Sequence, residues 1–207
     1  MTDVVIVDAG LGNLRSVERA VRRAASEAGR VVSVSQSADP DEVRRASRLI
    51  VPGQGGYGAL ARAYASELGE AVREQLDRGT PYFGICLGLQ ALFEASDEAP
   101  GAGLGWFKGR VRRLAAGPDV KVPHVGWNQI DVTRPHPLLT GMDAEWFYFV
   151  HSYQAIPEDP ELVVATASYG DRRITAAVGR DHVFATQFHP EKSQAAGIAL
   201  LGAFLAR

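Results

Sequence analysis

One heptapeptide limits what this chain can fold into more than any other stretch: Tyr82-Phe83-Gly84-Ile85-Cys86-Leu87-Gly88. An apolar, strand-like run breaks at a cysteine that has glycine two residues away on each side, and an apolar helix-like stretch follows at once. This is the cysteine form of the nucleophile elbow, G-x-C-x-G. The strand-to-helix turn strains and exposes its central residue, and the glycines leave room for neighbouring backbone. Amides at the start of the following helix would point at the sulfur. Free cysteine ionises near pH ~8.5, and a helix start or a nearby imidazolium favours the thiolate below that. The plain alternative is a cysteine that fills space in the core. The glycines, the strand before and the helix after favour a nucleophile.

The elbow sits in a strand-helix alternation. Strands are predicted at Val4–Val7, Val31–Val34, Leu49–Val51 and Tyr82–Ile85. Helical periodicity covers Leu14–Ala28, with Leu14, Val17, Val21 and Ala24/Ala25 on one side. Further helices are expected over Glu67–Arg78, ended by Gly79, and over Leu87–Glu94. The pattern predicts an α/β fold with a mostly parallel central sheet flanked by helices. From Trp106 to Phe188 strand-like pieces dominate: Trp106–Leu114, Trp127–Val132, Trp146–Val150, Leu162–Ala167 and His182–Phe188. They predict antiparallel additions to that sheet or a small second sheet. Ser193 is the expected N-cap of a last helix running to about Ala206.

Composition excludes several classes. The 207 residues suggest one domain, 1–207, with no linker long enough to divide it. A formal net charge of -2 offers no basic field for nucleic acid or an anionic membrane. The start, MTDVVIVDAG, has no positive leader, and Ile198–Ala206 is far shorter than the roughly 20 apolar residues that span a bilayer. A single cysteine cannot form an internal disulfide. These features together predict a cytoplasmic protein. His124, His136, His151 and His182 form no tight metal-ligand spacing, so neither metal nor cofactor is expected.

A base for the cysteine stands late in the chain. The apolar run Val183–Phe188 ends in His189-Pro190-Glu191, and Pro190 helps to stop the strand. His189 would stand at the strand's end, and the Glu191 carboxylate could accept its second ring N–H. Cys86, His189 and Glu191 then take the roles of nucleophile, general acid/base and orienting anion. Alone, a loop histidine beside proline is often merely solvated. Gln90, about one helical turn after Cys86, would lie on the nucleophile's side, and its plain reading is a surface glutamine. Gly10-x-Gly12 could cradle a pyrophosphate, but Arg15 stands where the third glycine of G-x-G-x-x-G belongs.

The strings GICLG and HPE, in this order, resemble the class I (triad) glutamine amidotransferase family. DAGLGNLRSV, PGQG, VPHVGWN, FVHSY and HPEKS extend the similarity over nearly the whole chain, toward the glutaminase subunits of imidazole glycerol phosphate synthases. The chain departs from the family pattern at Ala9, commonly aromatic, and at Gln54, often valine. The resemblance implies a flavodoxin-like class I glutaminase domain that hydrolyses L-glutamine to glutamate and ammonia. It further implies a heterodimer partner, a separate (β/α)8-barrel cyclase subunit, which uses the ammonia in histidine biosynthesis. By position, Cys86, His189 and Glu191 match the triad. The N–H of Leu87 and one from Gly53–Gln54 match the oxyanion donors. Gly55, Gln90, His151, Ser152 and Tyr153 match the substrate-holding positions, and Asn13, Trp127 and Lys192 match the surface facing the cyclase.

Three alternatives stand beside this reading. Another member of the amidotransferase family, serving anthranilate or pyridoxal phosphate synthesis, is disfavoured by VPHVGWN and HPEKS. An intracellular cysteine peptidase would need neither partner nor HPE strand. A non-catalytic module should have lost a triad side chain, and none is lost.

Overall fold

A computed structural model of the chain describes residues 2–117 and 120–207. Its first half alternates strand and helix: β1 (Thr2–Val7), α1 (Leu14–Glu27), β2 (Val32–Ser37), α2 (Pro40–Arg45), β3 (Arg48–Gly53), α3 (Tyr57–Tyr64), α4 (Glu67–Asp77), β4 (Tyr82–Cys86) and α5 (Leu87–Gln90). The second half is mostly strand: β5 (Phe93–Ser96), β6 (Phe107–Arg113), β7 (His124–Gln129), β8 (Asp131–Val132), β9 (Trp146–His151), β10 (Tyr153–Pro157), β11 (Val163–Tyr169), β12 (Arg172–Arg180) and β13 (Val183–Thr186). Helix α6 (Gln194–Leu205) follows.

Among the described residues the main sheet has eight strands in the order β2-β1-β3-β4-β13-β12-β11-β8. The pairings from β2 through β13 are parallel, and those from β13 through β8 are antiparallel. The predicted α/β architecture is therefore present, and both expected forms of addition occur, although β5 pairs with β6 in parallel. Strands β12, β11 and β8 extend the main sheet, while β10-β6-β5 and β7-β9 form small sheets of their own.

Alternation of side chains explains why the inner parallel strands are apolar through their middles, while the edge strand β2 (VSVSQS) is not. Val4 and Ile6 of β1, Ile50 of β3, Phe83 and Ile85 of β4 and Phe184 of β13 pack on one face, with α1 and α6. Val5, Val7, Leu49, Val51, Tyr82, Val183 and Ala185 pack on the other, with α2, α3 and α4. In the inner strands, two buried faces leave no position for a polar residue until near the strand ends. No helix among the described residues is long and apolar enough to cross a membrane.

Some local expectations differ from what is seen. The helix predicted over Leu87–Glu94 ends at Gln90, and Phe93–Ser96 is strand β5. The carbonyls of Ala91 and Leu92 accept from Leu104 N (2.6 Å) and Phe107 N (2.9 Å), so they do not extend the helix. A continuous apolar run reads equally as buried helix or buried strand, and here a returning segment decided. The helix therefore supplies one turn of local amides at Cys86, not a long dipole. Helices α2 and α3 were not anticipated. Helix α2 has six residues and buries only Val43, too few for a period to show. The second strand runs Val32–Ser37, and Val31 is exposed.

Ser193 is the N-cap of α6 by position, but its hydroxyl makes no cap hydrogen bond. It donates instead to His189 O (2.6 Å) and accepts from Tyr148 N (3.0 Å). This ties β9 to the turn that carries His189.

Space around the elbow is set by backbone. A Cβ on Gly88 would overlap the Val51 carbonyl oxygen of β3, and one on Gly84 would lie 2.6 Å from Gly88 O. Helix α5 thus starts directly against the sheet. Gly88→Ala is expected to destabilise the fold by about 3 kcal/mol or more, the upper end of the about 1–3 kcal/mol that overpacking usually costs, because the clash is with backbone. Urea unfolding of the variant measures this, and a change under about 1 kcal/mol would contradict the tight approach.

Candidate active site

Parallel pairing puts Gly53 of β3 beside Cys86 at the end of β4, and Thr186 of β13 beside Ile85. The carboxyl ends of three neighbouring strands therefore converge, where open α/β sheets place functional groups. Cys86 has φ 56° and ψ −102°, a left-handed value for a residue with a side chain. It is 6% exposed.

His189 lies three residues past β13, followed by the short 3-10 turn Pro190–Lys192. Its N–H donates to Tyr148 O (2.9 Å), and its carbonyl accepts from Lys192 N (3.0 Å). The ring is fixed by Glu191: Nδ1 lies 2.8 Å from Oε1, with the two side chains 1% and 2% exposed. Nδ1 must carry the proton to meet a carboxylate, which leaves Nε2 for the cysteine side. Among the described residues Nε2 makes no hydrogen bond of good geometry, and catalytic contacts often tighten only with substrate bound. Burial opposes charge on His189, but the Cys86 sulfur and the Glu191 carboxylate outweigh it and push its pKa up to about 9. The site thus favours a charged ring at His189.

A cavity of about 390 Å³ opens at the sulfur. Gln54, Gly55, Leu87 and Gln90 line it on the elbow side, and His151, Ser152, Tyr153 and Lys192 on the other. These are sequence-predicted positions brought together from β3, α5, the β9–β10 junction and the last turn. Gly53 approaches Leu87 so closely that a Cβ on it would lie 2.6 Å from Leu87 Cβ. The expected oxyanion segment and the residue after the nucleophile are thereby adjacent. A larger cleft, about 500 Å³, lies by Pro81 and Asp181 near the opposite strand ends, away from the cysteine.

Gln90 is not a surface residue. It is 3% exposed, and its Nε2 donates to Tyr153 O (3.3 Å) and Gln187 Oε1 (3.2 Å). Its Oε1 is buried without a partner among the described residues. Gln187, fully buried, donates from Nε2 to Cys86 Sγ at 3.5 Å and was missed in the sequence. The one sequence signal was its place two residues before His189, but β13 ends at Thr186, so strand alternation does not set its direction.

The other expected positions separate into two groups. Trp127 is exposed on β7 and meets Tyr148 of β9 edge-on, with ring centroids 6.1 Å apart. Lys192 Nζ lies 5.8 Å from the centre of the same Tyr148 ring. Asn13 stands apart from this cluster, in the loop beside Gln54 and the His189–Glu191 pair. There it caps α1, accepting from Ser16 N at 3.3 Å.

A second buried histidine pair was not anticipated. His124 Nδ1 and His151 Nε2 are 3.0 Å apart, and His151 Nδ1 lies 2.8 Å from Tyr153 O. A carbonyl only accepts, so His151 Nδ1 carries the proton and its Nε2 accepts from His124. His124 Nε2 then faces the Asn128 amide at 3.4 Å. Burial pushes the pKa of His151 down to about 3 and that of His124 to about 4. Among the described residues no group of three or more His, Cys, Asp or Glu could hold a metal ion.

A family model for class-I glutamine amidotransferases matches residues 5–206. The chain belongs to the class-I glutamine amidotransferase family. It is 46% identical to "Imidazole glycerol phosphate synthase subunit HisH" of Neisseria gonorrhoeae, over 97% of each chain. The protein of that name from Halobacterium salinarum is 45% identical, covering 98% of this chain and 92% of the relative. A crystal structure described as a glutamine amidotransferase superposes with a TM-score of 0.73 at 22% identity, covering 98% of this chain and 97% of that one. The crystal structure of a putative GMP synthase protein from Thermoplasma acidophilum gives 0.69 at 18% identity, covering 100% and 95%. These two likenesses concern the fold. Within it, this amidotransferase chain carries its sulfur, imidazole and carboxylate at the shared strand ends.

The buried histidines give stability a defined pH dependence. His124 and His151 have folded pKa values below the unfolded value near ~6.5, so the unfolded chain binds protons that the folded chain refuses. Their contribution is full above about pH 6.5 and is lost as pH falls toward about 4 and 3. His189 has the opposite sign: its contribution is full below about pH 6.5 and is lost as pH rises through about 9. The urea midpoint should therefore fall between pH 7 and 4, and less steeply in a His124→Gln/His151→Gln double variant. An unchanged slope in that variant would count against the neutral pair.

Proposed function

We propose that this chain is the glutaminase subunit of an imidazole glycerol phosphate synthase. It hydrolyses L-glutamine to glutamate and ammonia and hands the ammonia to a cyclase subunit in histidine biosynthesis. The observation that carries the reading is a strained cysteine, at the mouth of a cavity, beside a buried His189–Glu191 pair. The relatives bearing the synthase subunit name, 46% and 45% identical, support the pathway.

The chemistry follows from the residues in place. The Cys86 thiolate attacks the side-chain amide carbon of glutamine, and the N–H groups of Leu87 and the Gly53–Gln54 segment receive the oxyanion. His189 gives its Nε2 proton to the departing nitrogen, the C–N bond breaks, and ammonia leaves a γ-glutamyl thioester. Water then attacks as His189 takes back a proton, the C–S bond breaks, and glutamate departs. Glu191 keeps the ring oriented and balances its charge.

The cavity suits the rest of the substrate. Gln90, whose Oε1 is buried without a partner among the described residues, and Glu98 both line it, and the Glu98 carboxylate would accept from the α-ammonium group. Gly55 and the His151–Tyr153 segment close the sides. The β7–β9 pair turns His124, Phe147, Phe149 and His151 inward, and it exposes Val125 (55%), Trp127 (43%) and Trp146 (51%). With Tyr148 and Lys192, this apolar patch is the surface assigned to a (β/α)8-barrel cyclase, in a heterodimer, and the Asn13 loop is assigned to it as a separate contact. The chain acts as one domain, 1–207, in the cytoplasm, without cofactor, nucleic acid or membrane.

Cys86→Ala should abolish glutamate release yet leave ammonia-driven synthesis by the assembled complex unchanged. Loss of ammonia-driven turnover in a complex that still assembles would refute the division of labour.

The isolated chain should hydrolyse glutamine slowly, and the nucleotide-loaded cyclase should raise turnover by about 10²–10³, the effect of gaining one oxyanion donor. Gly55, at φ 116°, gives the segment beside Gln54 the backbone freedom such a change needs. Steady-state glutamate assays with and without the cyclase decide. Full activity in the isolated chain would overturn the switch and favour a stand-alone hydrolase.

A further inference from the structure

We infer that Gln187 is a further catalytic residue: its side-chain amide is a hydrogen-bond donor to the Cys86 sulfur and favours the thiolate. The inference rests on Cys86 acting as the nucleophile, and it adds a residue that neither the GICLG nor the HPE string contains.

The argument is one of forced orientation. A glutamine amide can present either its oxygen or its nitrogen, so the polarity of Gln187 has to be fixed from outside. The Tyr153 carbonyl fixes it. That oxygen only accepts, so Gln90 must turn Nε2 toward it, at 3.3 Å. The same Nε2 reaches Gln187 at 3.2 Å, which obliges Gln187 to present Oε1 there. Its Nε2 is then the atom left for Cys86 Sγ, at 3.5 Å. Reversing Gln187 would set N–H against N–H at Gln90 and oxygen against sulfur at Cys86. Reversing Gln90 would set oxygen against oxygen at Tyr153.

The backbone holds Gln187 in place for this. Its own N–H donates to Ala176 O at 2.8 Å, and the residue is fully buried. A hydrogen bond to the charged form of an acid favours that form, and it is stronger in a buried site than in water. A neutral thiol is only a weak acceptor, so the donor discriminates between thiol and thiolate. Gln187 touches the reacting atom without taking its proton, the task left to His189.

Cys86 is the single cysteine of the chain, so alkylation by iodoacetamide reads this sulfur alone. Rates measured from pH 5 to 10 on the intact isolated chain test the inference, with thermal unfolding as a check on folding. Gln187→Met keeps bulk and removes the donor. Gln187→Glu keeps length and the acceptor for Gln90 but places a carboxylate at the sulfur. The rate at pH 7 should drop about tenfold to a hundredfold in Gln187→Met, as a lost hydrogen bond to a charged group implies, and further in Gln187→Glu. Both rates should recover at high pH, where the thiol ionises unaided. Folded variants that react at the wild-type rate would overturn the inference. So would a slow rate that stays slow at high pH, because that marks blocked access. If neither variant folds, Gln90→Met leaves the Gln187 amide unoriented, and the same fall and recovery are expected; an unchanged profile there refutes the proposal. Glutamate release by the wild-type complex is scored separately, so failure of the glutaminase reading and failure of this one are distinguishable.

Discussion

Helix α5 starts in contact with strand β3, at the point where Gly88 meets the Val51 carbonyl. No side chain fits between them, so β4 cannot run on into a relaxed loop. The chain turns within one residue, and Cys86 takes the strained conformation that results. Such a residue costs of order 1–3 kcal/mol and persists only where its surroundings over-determine it. Here β3 and β13 flank β4 on both sides, and both cores press on the turn. The same approach sets Gly53 against Leu87, so the sulfur and the amides proposed for the oxyanion share one origin.

Charge is rationed around that turn. Three buried histidines lie in or near the site, yet only at His189 do the partners outweigh burial; at His151 the Tyr153 carbonyl favours a positive ring, but burial wins. His151 and His124 are locked neutral by burial, and each passes a hydrogen to the next acceptor until Tyr153 O. A second imidazolium would repel His189, and the field of His189 is itself among the influences that hold His151 neutral. The Tyr153 carbonyl is the meeting point, because it also fixes Gln90 and, through it, Gln187. Buried polar chains of this kind specify one arrangement when every member is satisfied. The exception is Gln90 Oε1, buried without a partner among the described residues in a residue that lines the cavity.

The β7–β9 pair connects this interior to the surface. Its inward residues carry the histidine pair, and its outward residues carry the exposed aromatic patch. Ser193 ties β9 to the turn bearing His189 and Lys192. A partner seated on Trp127 and Tyr148 would therefore press on elements that also position the imidazole and wall the cavity. That is a short mechanical route from docking to chemistry, built from two strands and one hydroxyl.

By itself the sequence determined the four parallel strands of the first half with helices α1 and α4, the elbow, and the pairing of His189 with Glu191. Each depends on neighbours in the chain: apolar runs, glycine spacing, or two residues separated by one proline. The fates of Leu87–Glu94, Gln90, Gln187 and the His124–His151 pair were decided only by tertiary structure. An apolar run does not say whether a returning segment will take its carbonyls, as Leu104 and Phe107 take those of Ala91 and Leu92. A glutamine does not say which way its amide faces, and here a carbonyl 63 residues away settles it. Hydrogen-bond polarity and burial belong to the partners that the fold brings together, so they become definite only when the strands have paired.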